Sequence, residues 1–483
     1  MKLTESQYNS IYQMATQLIR FDKQKGVEIG YDNIATYIQR ALDFARAQCD
    51  DDDFGHLFLD IEYEFAIVHT MGECIFSEYD VKDWYSNDLI EDNFFWNRYK
   101  RYLIENTTID SKSISLLEEK TLPEIMNCLG NPNDELTSKR LRRGLIIGDV
   151  QSGKTATYSG LICKAADAGY KVVILLAGIT ESLRQQTQER IDDGIVGYSI
   201  RLVEKQEKRG VVGVGNDHKP RRATSFTSCI KDFVGDCDKI STTLSEHKSL
   251  VLFVVKKNVS VLNKLYKWLE ENNVDVIKGC IDHPMLLIDD EADNASVNTK
   301  KDETDPTKTN KIIRQICNLF MNATYVGFTA TPFANVFIDP DSVDAMKHAD
   351  LFPEHFIYTL PTPSTYIGAE KIFYNDGERH GNLRYIVDIE EPDYESEEYK
   401  QASKFNSEEL NSGPLYSRHK KEWDGILPES LREAILCYYL ANVVRDLRGQ
   451  KSKPRSMLVN MSRFIRVQNL IKEHIEQIHS LKH

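Results

Sequence analysis

The pattern of hydrophobic and polar positions divides the chain into two regions of different character. From Thr4 to about residue 140, apolar side chains recur at helical spacing, which predicts an all-α N-terminal domain. After Gly144, short apolar runs alternate with longer helical segments, and this alternation predicts an α/β domain built on a parallel sheet. The predicted strands are 144–149, 171–177, 249–255, 285–290 and 324–330, and the predicted helices between them are 155–169, 181–193, 258–272 and 309–321.

Two segments interrupt this pattern. Residues 204–248 fit no regular element and are interpreted as an insertion, while residues 388–412 are strongly acidic and predict a surface insertion or a mobile loop. A helix is predicted over 427–449, followed by a strand at 456–461 and a helix from about Arg463. The predicted domains are 1–140 (helical), 141–345 (α/β lobe with the insertion), 346–450 (connecting region) and 451–483 (start of a second lobe).

Composition narrows the class of protein without identifying it. The chain has 483 residues, of which 41% are hydrophobic and 28% charged, an ordinary globular balance. No apolar stretch approaches the ~20 residues of a membrane span, so we expect no membrane association. Nine cysteines without a CxxC pair predict reduced thiols and a cytoplasmic protein. The net charge of -14 argues against binding DNA over the whole surface but is compatible with a local basic groove.

A phosphate-binding loop is the strongest chemical signal in the sequence. Residues 148–155, GDVQSGKT, satisfy the pattern GxxxxGK[ST] between a predicted strand and a predicted helix. Glycines allow backbone amides to turn toward phosphate oxygens, and the helix directs the positive end of its dipole at the anion. We therefore expect ATP and Mg²⁺ as cofactors, with Lys154 on the β- and γ-phosphates and the Thr155 hydroxyl on the metal. The expected ATP contacts are Gly148, Gln151, Ser152, Gly153, Lys154 and Thr155.

Carboxylates follow another predicted strand, in the sequence MLLIDDEADNAS at 285–296. A phosphate-loop ATPase needs one acid to hold Mg²⁺ and a second to orient and deprotonate the attacking water. Asp290 is assigned to the metal and Glu291 to the water. The expected catalytic residues are therefore Lys154, Asp290 and Glu291.

A segment rich in small hydroxyl residues, GFTATPFAN at 327–335, follows the last of these strands. Thr329 and Thr331 are expected to hydrogen-bond the carboxylates of the preceding motif, with Asp293 as the connecting acid. Such contacts allow a protein to sense whether the γ-phosphate is present. These three residues are therefore predicted to couple the nucleotide to the rest of the motor.

The motifs GDVQSGKT, DEAD and TATP occur in the order of motifs I, II and III of superfamily-2 helicases and translocases. With LLAGITESLRQQTQERID, FVVKKNVSVLNKL, LPTPSTYIGAE and MLVNMSRFIRVQNLI, they resemble the Z1 domain family from about residue 144 to 483. The resemblance implies a RecA-like P-loop ATPase lobe in a bacterial protein linked to restriction-type defence against phage, in a family often described as endonucleases. It implies DNA as a partner, and other defence-system proteins as further partners.

The same resemblance implies contacts with a nucleic-acid backbone in two segments. One corresponds to motif Ia of such motors, and the other follows the strand predicted at 249–255. A solvated helix start accounts for each segment equally well. The candidate residues are Thr180, Ser182, Arg184, Lys256, Lys257 and Asn258.

The chain departs from the two-lobed superfamily-2 pattern near its C-terminus. The strand predicted at 456–461 resembles the first strand of a second RecA-like lobe, only begun here, with Ser462 and Arg463 as its motif IV. Motifs V and VI, which contain the arginine finger, are not found. Because that finger is worth about 10³–10⁵ in rate, we expect this chain to bind ATP but to hydrolyse it poorly. Either the chain is the N-terminal portion of a longer protein, or a partner supplies the finger.

Three functions are compatible with these features. The first is an ATP-driven DNA translocase or remodeller in a restriction or defence system. The second is a DNA endonuclease gated by ATP; Glu398-Tyr399-Lys400 matches the (D/E)xK nuclease pattern, but it lies in the acidic insertion without a strand, as chance matches do. The third is an ATP-controlled binding module that recruits partners through its helical N-terminal domain.

Overall fold

In the computed structural model, the chain forms two compact units, Met1–Tyr366 and Ile367–His483. The residues that the structure describes are 3–25, 31–65, 74–76, 83–107, 109, 111–149, 152–203, 206–217, 219–220, 222–234, 242–297, 307–338, 350–361, 367–374, 379–384, 419, 421–423 and 425–480. The acidic insertion at 388–412, with Glu398-Tyr399-Lys400, therefore lies outside the described residues.

The first unit is built on a mostly parallel sheet. Its strands are β1 Cys74–Phe76, β2 Arg140–Ile147, β3 Val172–Ala177, β4 Tyr198–Val203, β5 Gln206–Val211, β6 Ala223–Ser225, β7 Leu250–Val255, β8 Met285–Asp290, β9 Asn322–Thr329 and β10 Phe356–Thr359. Eight of them form one sheet in the order β1-β10-β2-β9-β8-β3-β7-β6, and all neighbours are parallel except β1 and β10. Strands β4 and β5 pair with each other as a separate antiparallel hairpin.

Helices cover both faces of this sheet. Those of the first unit are α1 Glu5–Gln24, α2 Tyr31–Ala45, α3 Asp51–Phe65, α4 Phe94–Asn106, α5 Ser111–Leu116, α6 Leu122–Cys128, α7 Lys154–Ala168, α8 Glu181–Ile191, α9 Val259–Asn273, α10 Lys308–Leu319 and α11 Phe333–Val336. Helices α4, α6 and α7 contribute to the core on one face, and α9 and α10 to the core on the other. Helices α1 to α3 form a smaller cluster with a core of their own.

The central strands are apolar on both sides because both sides are covered. In β3, Val173 and Leu175 belong to the core beneath α7, whereas Val172, Ile174 and Leu176 belong to the core beneath α9. This alternation follows from the two-residue period of a strand. It explains why the sequence shows a continuous hydrophobic run here and not an alternating one.

The predicted α/β fold with a parallel sheet and a helical N-terminal region is confirmed. Each of the five predicted strands corresponds to one of β2, β3, β7, β8 and β9, and each predicted helix between them to one of α7 to α10. Helix α7 ends where Gly169 adopts a left-handed conformation at a φ of 116°, as its position after the helix predicted.

Five strands were not predicted: β4, β5, β10 and the two three-residue strands β1 and β6. Strand β1 lies in the region expected to be wholly helical, and it pairs antiparallel with β10 at the edge of the sheet. Strand β6 lies in the segment 204–248, which was expected to fit no element, and it extends the other edge beside β7. Each has three residues, too few for a periodic pattern to be visible in the sequence, and each is defined by its hydrogen bonds to a neighbour.

The second unit contains two long helices that pack on each other. Its described helices are α12 Ala369–Phe373, α13 Glu429–Leu447 and α14 Ile465–Ser480. Leu431 and Ile435 of α13 form a small core with Val467 and Ile471 of α14 and with Trp423. No described helix in either unit is long and apolar enough to cross a membrane.

The strand predicted at 456–461 is not present. The structure assigns no strand to these residues, which connect α13 to α14. The described part of this unit offers no second strand with which they could pair, and an apolar run forms a strand only when its backbone groups find such a partner. The helix predicted from about Arg463 is α14, and it begins at Ile465.

Candidate active site

The predicted motifs lie together at the carboxyl ends of the central strands, because the strands that precede the motifs are parallel neighbours. Ile147, at the end of β2, lies opposite Thr329 of β9. Phe328 of β9 lies opposite Asp290 of β8, which in turn lies opposite Ala177 of β3. The segments that follow these four strands therefore leave the sheet side by side.

The phosphate loop, residues 148–155, is anchored to the sheet and shaped by two glycines. The Gly148 amide donates to the Thr329 carbonyl at 3.0 Å, which ties the loop to β9. A Cβ atom at Gly148 would lie 2.5 Å from Ser152 Oγ, so a side chain at this position would displace the serine. Gly153 adopts a left-handed conformation at a φ of 77° directly before α7 begins at Lys154.

The polar groups of the loop fit a phosphate chain. Lys154 Nζ lies over the loop and donates to the carbonyl oxygens of Gly148 at 2.7 Å and Asp149 at 3.1 Å. Ser152 Oγ is buried and has no hydrogen-bond partner among the described residues. A cation, an unsatisfied hydroxyl and the N-terminus of α7 thus lie in one short segment, which suits an anion. Gln151, the remaining expected contact, lies outside the described residues.

Electrostatics link the loop to the acids of the neighbouring strand. Burial lowers the pKa of Lys154, while the nearby carboxylates, Asp290 first among them, act in the opposite direction. Burial, with the adjacent charge of Glu291, raises the pKa of Asp290 to about 6. Burial disfavours the charged form of a carboxylate, and a divalent cation beside Asp290 would act in the opposite direction.

Asp290 and Glu291 begin a tight turn, residues 290–295, that we call the acidic turn. Glu291 adopts a left-handed backbone conformation with a φ of 56°, and Ala295 does so with a φ of 65°. Such conformations cost a residue with a side chain about 1–3 kcal/mol each. Gly178, directly after β3, lies beside the glutamate: a Cβ atom added there would be in ordinary van der Waals contact with Glu291 Oε2, at 3.7 Å.

The contact predicted between the second and third motifs is present. Thr329 Oγ1 donates to Asp293 Oδ1 and Thr331 Oγ1 donates to Asp293 Oδ2, each at 2.7 Å. The Thr331 amide donates to Thr329 Oγ1 at 2.9 Å, which completes a small network. Thr329, at the end of β9, and Thr331, just after it, therefore hold both carboxylate oxygens of Asp293. The coupling role of these residues remains a prediction.

Magnesium requires few protein ligands at a site of this kind. It commonly takes one or two carboxylates and completes its shell with water and phosphate oxygens. Asp290 and the Thr155 hydroxyl are the residues predicted for this role. Within the described residues, the structure contains no group of three or more His, Cys, Asp or Glu residues that could hold a metal by themselves.

One residue at this site had no signal in the sequence. Arg190, near the end of α8, donates from Nη1 to Thr155 Oγ1 at 3.1 Å. It therefore places a positive charge beside the expected magnesium ligand. Helix α8 was predicted only as a polar helix, and which of its basic residues approaches the phosphate loop depends on how the helix packs.

Three of the predicted nucleic-acid residues lie at the surface near the start of α8. Thr180 caps this helix by accepting the Leu183 amide at 3.4 Å, and its hydroxyl lies 3.1 Å from that of Ser182. Lys256 Nζ forms an ion pair with Glu181 Oε2 at 3.0 Å. These side chains are at least partly accessible to a ligand.

Burial corrects the prediction for Arg184 and Lys257. The Arg184 side chain is wholly buried, pairs with Glu181 at 2.6 Å and donates to the Ser228 carbonyl at 3.0 Å. The Lys257 side chain is also wholly buried and pairs with Asp289 at 2.7 Å. Neither can reach a nucleic-acid backbone in this fold, so both hold the protein itself together. Asn258 caps α9 by accepting the amide of Ser260 at 2.9 Å.

Two family models match the chain in regions that fit this architecture. The model described as type III restriction enzyme, res subunit, matches residues 96–334, which include the phosphate loop, the acidic turn and the threonines of β9. The Z1 domain model matches residues 430–483, which include α14 and nearly all of α13. The two matches are consistent with a Z1-containing, superfamily-2 helicase-like protein. The res-subunit match begins within α4, in line with the packing of α4 on the sheet.

Solved structures show only distant similarity to this Z1-containing protein. The crystal structure of the DUF1998 helicase MrfA bound to DNA is 11% identical, with a TM-score of 0.28 over 61% of this chain and 33% of that chain. The signal recognition particle receptor FtsY from Elizabethkingia anophelis is 12% identical, with a TM-score of 0.18 over 68% of this chain and 83% of that chain. The alignment thus spans about a third of the helicase chain. No curated protein sequence matches the Z1-containing chain.

Proposed function

We propose that this chain binds and hydrolyses ATP with Mg²⁺ and acts as a superfamily-2-like motor on DNA. The observation that carries the proposal is the convergence of two segments: the phosphate loop follows β2 and the acidic turn follows β8, with only β9 between them. Thr329 of that middle strand accepts the Gly148 amide through its carbonyl and donates to Asp293 through its hydroxyl. The segments proposed to carry out phosphoryl transfer thus follow neighbouring strands, and this arrangement supports the proposal.

Each residue has a distinct task in this proposal. The phosphate loop and Lys154 bind the β- and γ-phosphates. Thr155 and Asp290 would hold the magnesium ion, which would supply positive charge at the phosphate oxygens. Glu291 accepts a proton from the attacking water and orients it. Asp293, Thr329 and Thr331 report the state of the nucleotide to the remainder of the protein.

DNA is proposed as the polymer on which the motor acts. Thr180 and Ser182 present hydroxyls at the exposed start of α8, and Lys256 adds a positive charge beside them. Because the net charge of the chain is -14, contacts with a phosphate backbone must be confined to local surfaces of this kind. A role in a bacterial restriction or anti-phage system accords with the family models described above.

The proposed function is tested by measuring phosphate release without nucleic acid, with single-stranded DNA and with double-stranded DNA. Turnover that DNA stimulates and that Lys154→Ala abolishes is expected. Tight ATP binding without turnover under all three conditions would contradict the motor and favour an ATP-controlled binding module. Metal-dependent nicking of DNA that survives Glu291→Gln would point to a separate nuclease site.

The coupling role of the threonines gives a second prediction. Replacing Thr329 and Thr331 together with valine removes both hydroxyl donors to Asp293 and keeps the shape of the side chains. We expect ATP to bind normally and the stimulation of turnover by DNA to fall about 5- to 150-fold, the usual range of coupling between two sites. The measurement is the ratio of hydrolysis rates with and without DNA.

The matched control replaces both threonines with serine, which keeps the two hydroxyls and removes the methyl groups. This variant should retain most of the stimulation. If the valine and serine variants behave alike, the hydroxyl contacts to Asp293 have no part in coupling.

A further inference from the structure

Lys257 is a buried lysine whose ammonium group contacts the acidic turn. It lies between the end of β7 and the start of α9. Its Nζ atom forms an ion pair with Asp289 Oδ1 at 2.7 Å, and it donates hydrogen bonds to the carbonyl oxygens of Glu291 at 2.5 Å and Asn294 at 3.0 Å. Two of the three ammonium protons are therefore directed at the backbone of the turn.

The two carbonyl groups that Lys257 binds belong to the turn that presents the proposed catalytic glutamate. The Asn294 amide donates to the Glu291 carbonyl at 2.9 Å, so that carbonyl accepts two hydrogen bonds and closes the turn. The left-handed conformation of Glu291 persists only where its surroundings impose it. The ammonium group draws both carbonyls toward one point and supplies such a constraint.

Lys257 also connects the acidic turn to the neighbouring strands. Its backbone amide donates to the Gly178 carbonyl at 2.9 Å, directly after β3. Its counter-ion Asp289 accepts the Tyr325 hydroxyl of β9 at 2.7 Å, and both of these side chains are buried. One residue therefore joins the ends of β3, β7 and β8 to the backbone of the acidic turn.

We propose that Lys257 is a positioning residue for Glu291: its ammonium group fixes the backbone of the acidic turn so that the glutamate meets the attacking water in the right orientation. The inference rests on the proposed ATPase function and adds a residue to it. The competing role is purely electrostatic, in which Lys257 only neutralises the buried Asp289. The two roles differ in whether the contacts with the Glu291 and Asn294 carbonyls matter.

The double variant Lys257→Met/Asp289→Asn separates these roles. It removes both charges together, so no lone charge is left in the core, and the asparagine still accepts the Tyr325 hydroxyl. It also removes the donors to the two carbonyl groups of the turn. We expect kcat for ATP hydrolysis to fall about 10- to 100-fold, as for other residues that orient a catalytic group, with the KM for ATP nearly unchanged. The control is Lys264→Met, which removes an exposed lysine of α9 and should leave both constants unchanged.

Wild-type kcat in the double variant would overturn the proposal, since neutralising Asp289 would then be the whole role of Lys257. If the double variant does not fold, Lys257→Arg serves the same test. This variant keeps a positive charge opposite Asp289. The planar guanidinium group of arginine does not match acceptors that are arranged around a tetrahedral ammonium group, so kcat should again fall. Unchanged kcat in that variant would contradict the proposal equally.

A readout without ATP distinguishes failure of this inference from failure of the proposed function. Hydrogen–deuterium exchange of the peptide spanning 289–296 should be faster in the double variant than in the wild type or in Lys264→Met. If the wild-type protein hydrolyses no ATP, the proposed function fails, and the exchange rate alone decides whether Lys257 holds the turn. Equal exchange in all three proteins would overturn the inference.

Discussion

Replacing Lys154 with alanine is expected to reduce ATP hydrolysis at least about 10²- to 10³-fold, the loss that follows removal of one group that stabilises charge in a transition state. Lys154 Nζ lies at the phosphate loop, where it donates to the Gly148 and Asp149 carbonyls. The positive charge of Lys154 would lie beside the phosphate oxygens, over which negative charge is spread in the transition state of phosphoryl transfer. Alanine cannot replace that charge.

Binding and turnover should be measured separately for this variant. Phosphate release gives the rate, and the thermal stability of the protein with and without ATP and Mg²⁺ gives binding, because a ligand at 100 times its Kd stabilises the folded state by about 2.7 kcal/mol. The wild type should show this stabilisation and Lys154→Ala should lose most of it. Lys267→Ala, at an exposed position on α9, is the control. Equal stabilisation of Lys154→Ala and the wild type would contradict the role assigned to the loop.

The parts of the fold that could be predicted are those that carry a periodic pattern. Strands such as β3 and β7 are uninterrupted apolar runs, because both of their faces are covered, and helices α9 and α10 carry one apolar face each. The phosphate loop was predictable because its chemistry restricts which residues are allowed. The contact of Thr329 and Thr331 with Asp293 was predictable because the motifs follow strands that end at the same edge of the sheet.

What could not be predicted depends on tertiary packing. Lysine and arginine are rarely buried, so the sequence placed Arg184 and Lys257 at the surface, whereas each is enclosed by acceptors from distant segments. The strand predicted at 456–461 was wrong for a related reason: its apolar side chains suited a strand, but a strand also needs a neighbour. Arg190 reaches Thr155 only because of where α8 packs, which its own sequence does not reveal.

Replacing Glu291 with glutamine is expected to separate ATP binding from hydrolysis. Glutamine has the size and shape of glutamate and can occupy the same turn, but it cannot accept the proton of the attacking water. General-base catalysis typically contributes about 10²–10⁴-fold, and we expect kcat to fall by that amount. The affinity for ATP and Mg²⁺ should change little, because Asp290 and Thr155, and not Glu291, are proposed to hold the metal.

Single-turnover hydrolysis and equilibrium binding of ATP measure the two quantities independently. Glu271→Gln, at an exposed position on α9, is the matched control for the loss of one carboxylate, and it should behave as the wild type. Asp290→Asn provides the contrast. Loss of a metal ligand should lower the affinity for Mg²⁺ as well as the rate of turnover. If Glu291→Gln instead loses affinity and turnover in equal measure, the glutamate acts on the nucleotide and not on the water. The acidic turn would then hold its strained conformation for metal binding, and the assignment of Asp290 and Glu291 to separate tasks would have to be abandoned.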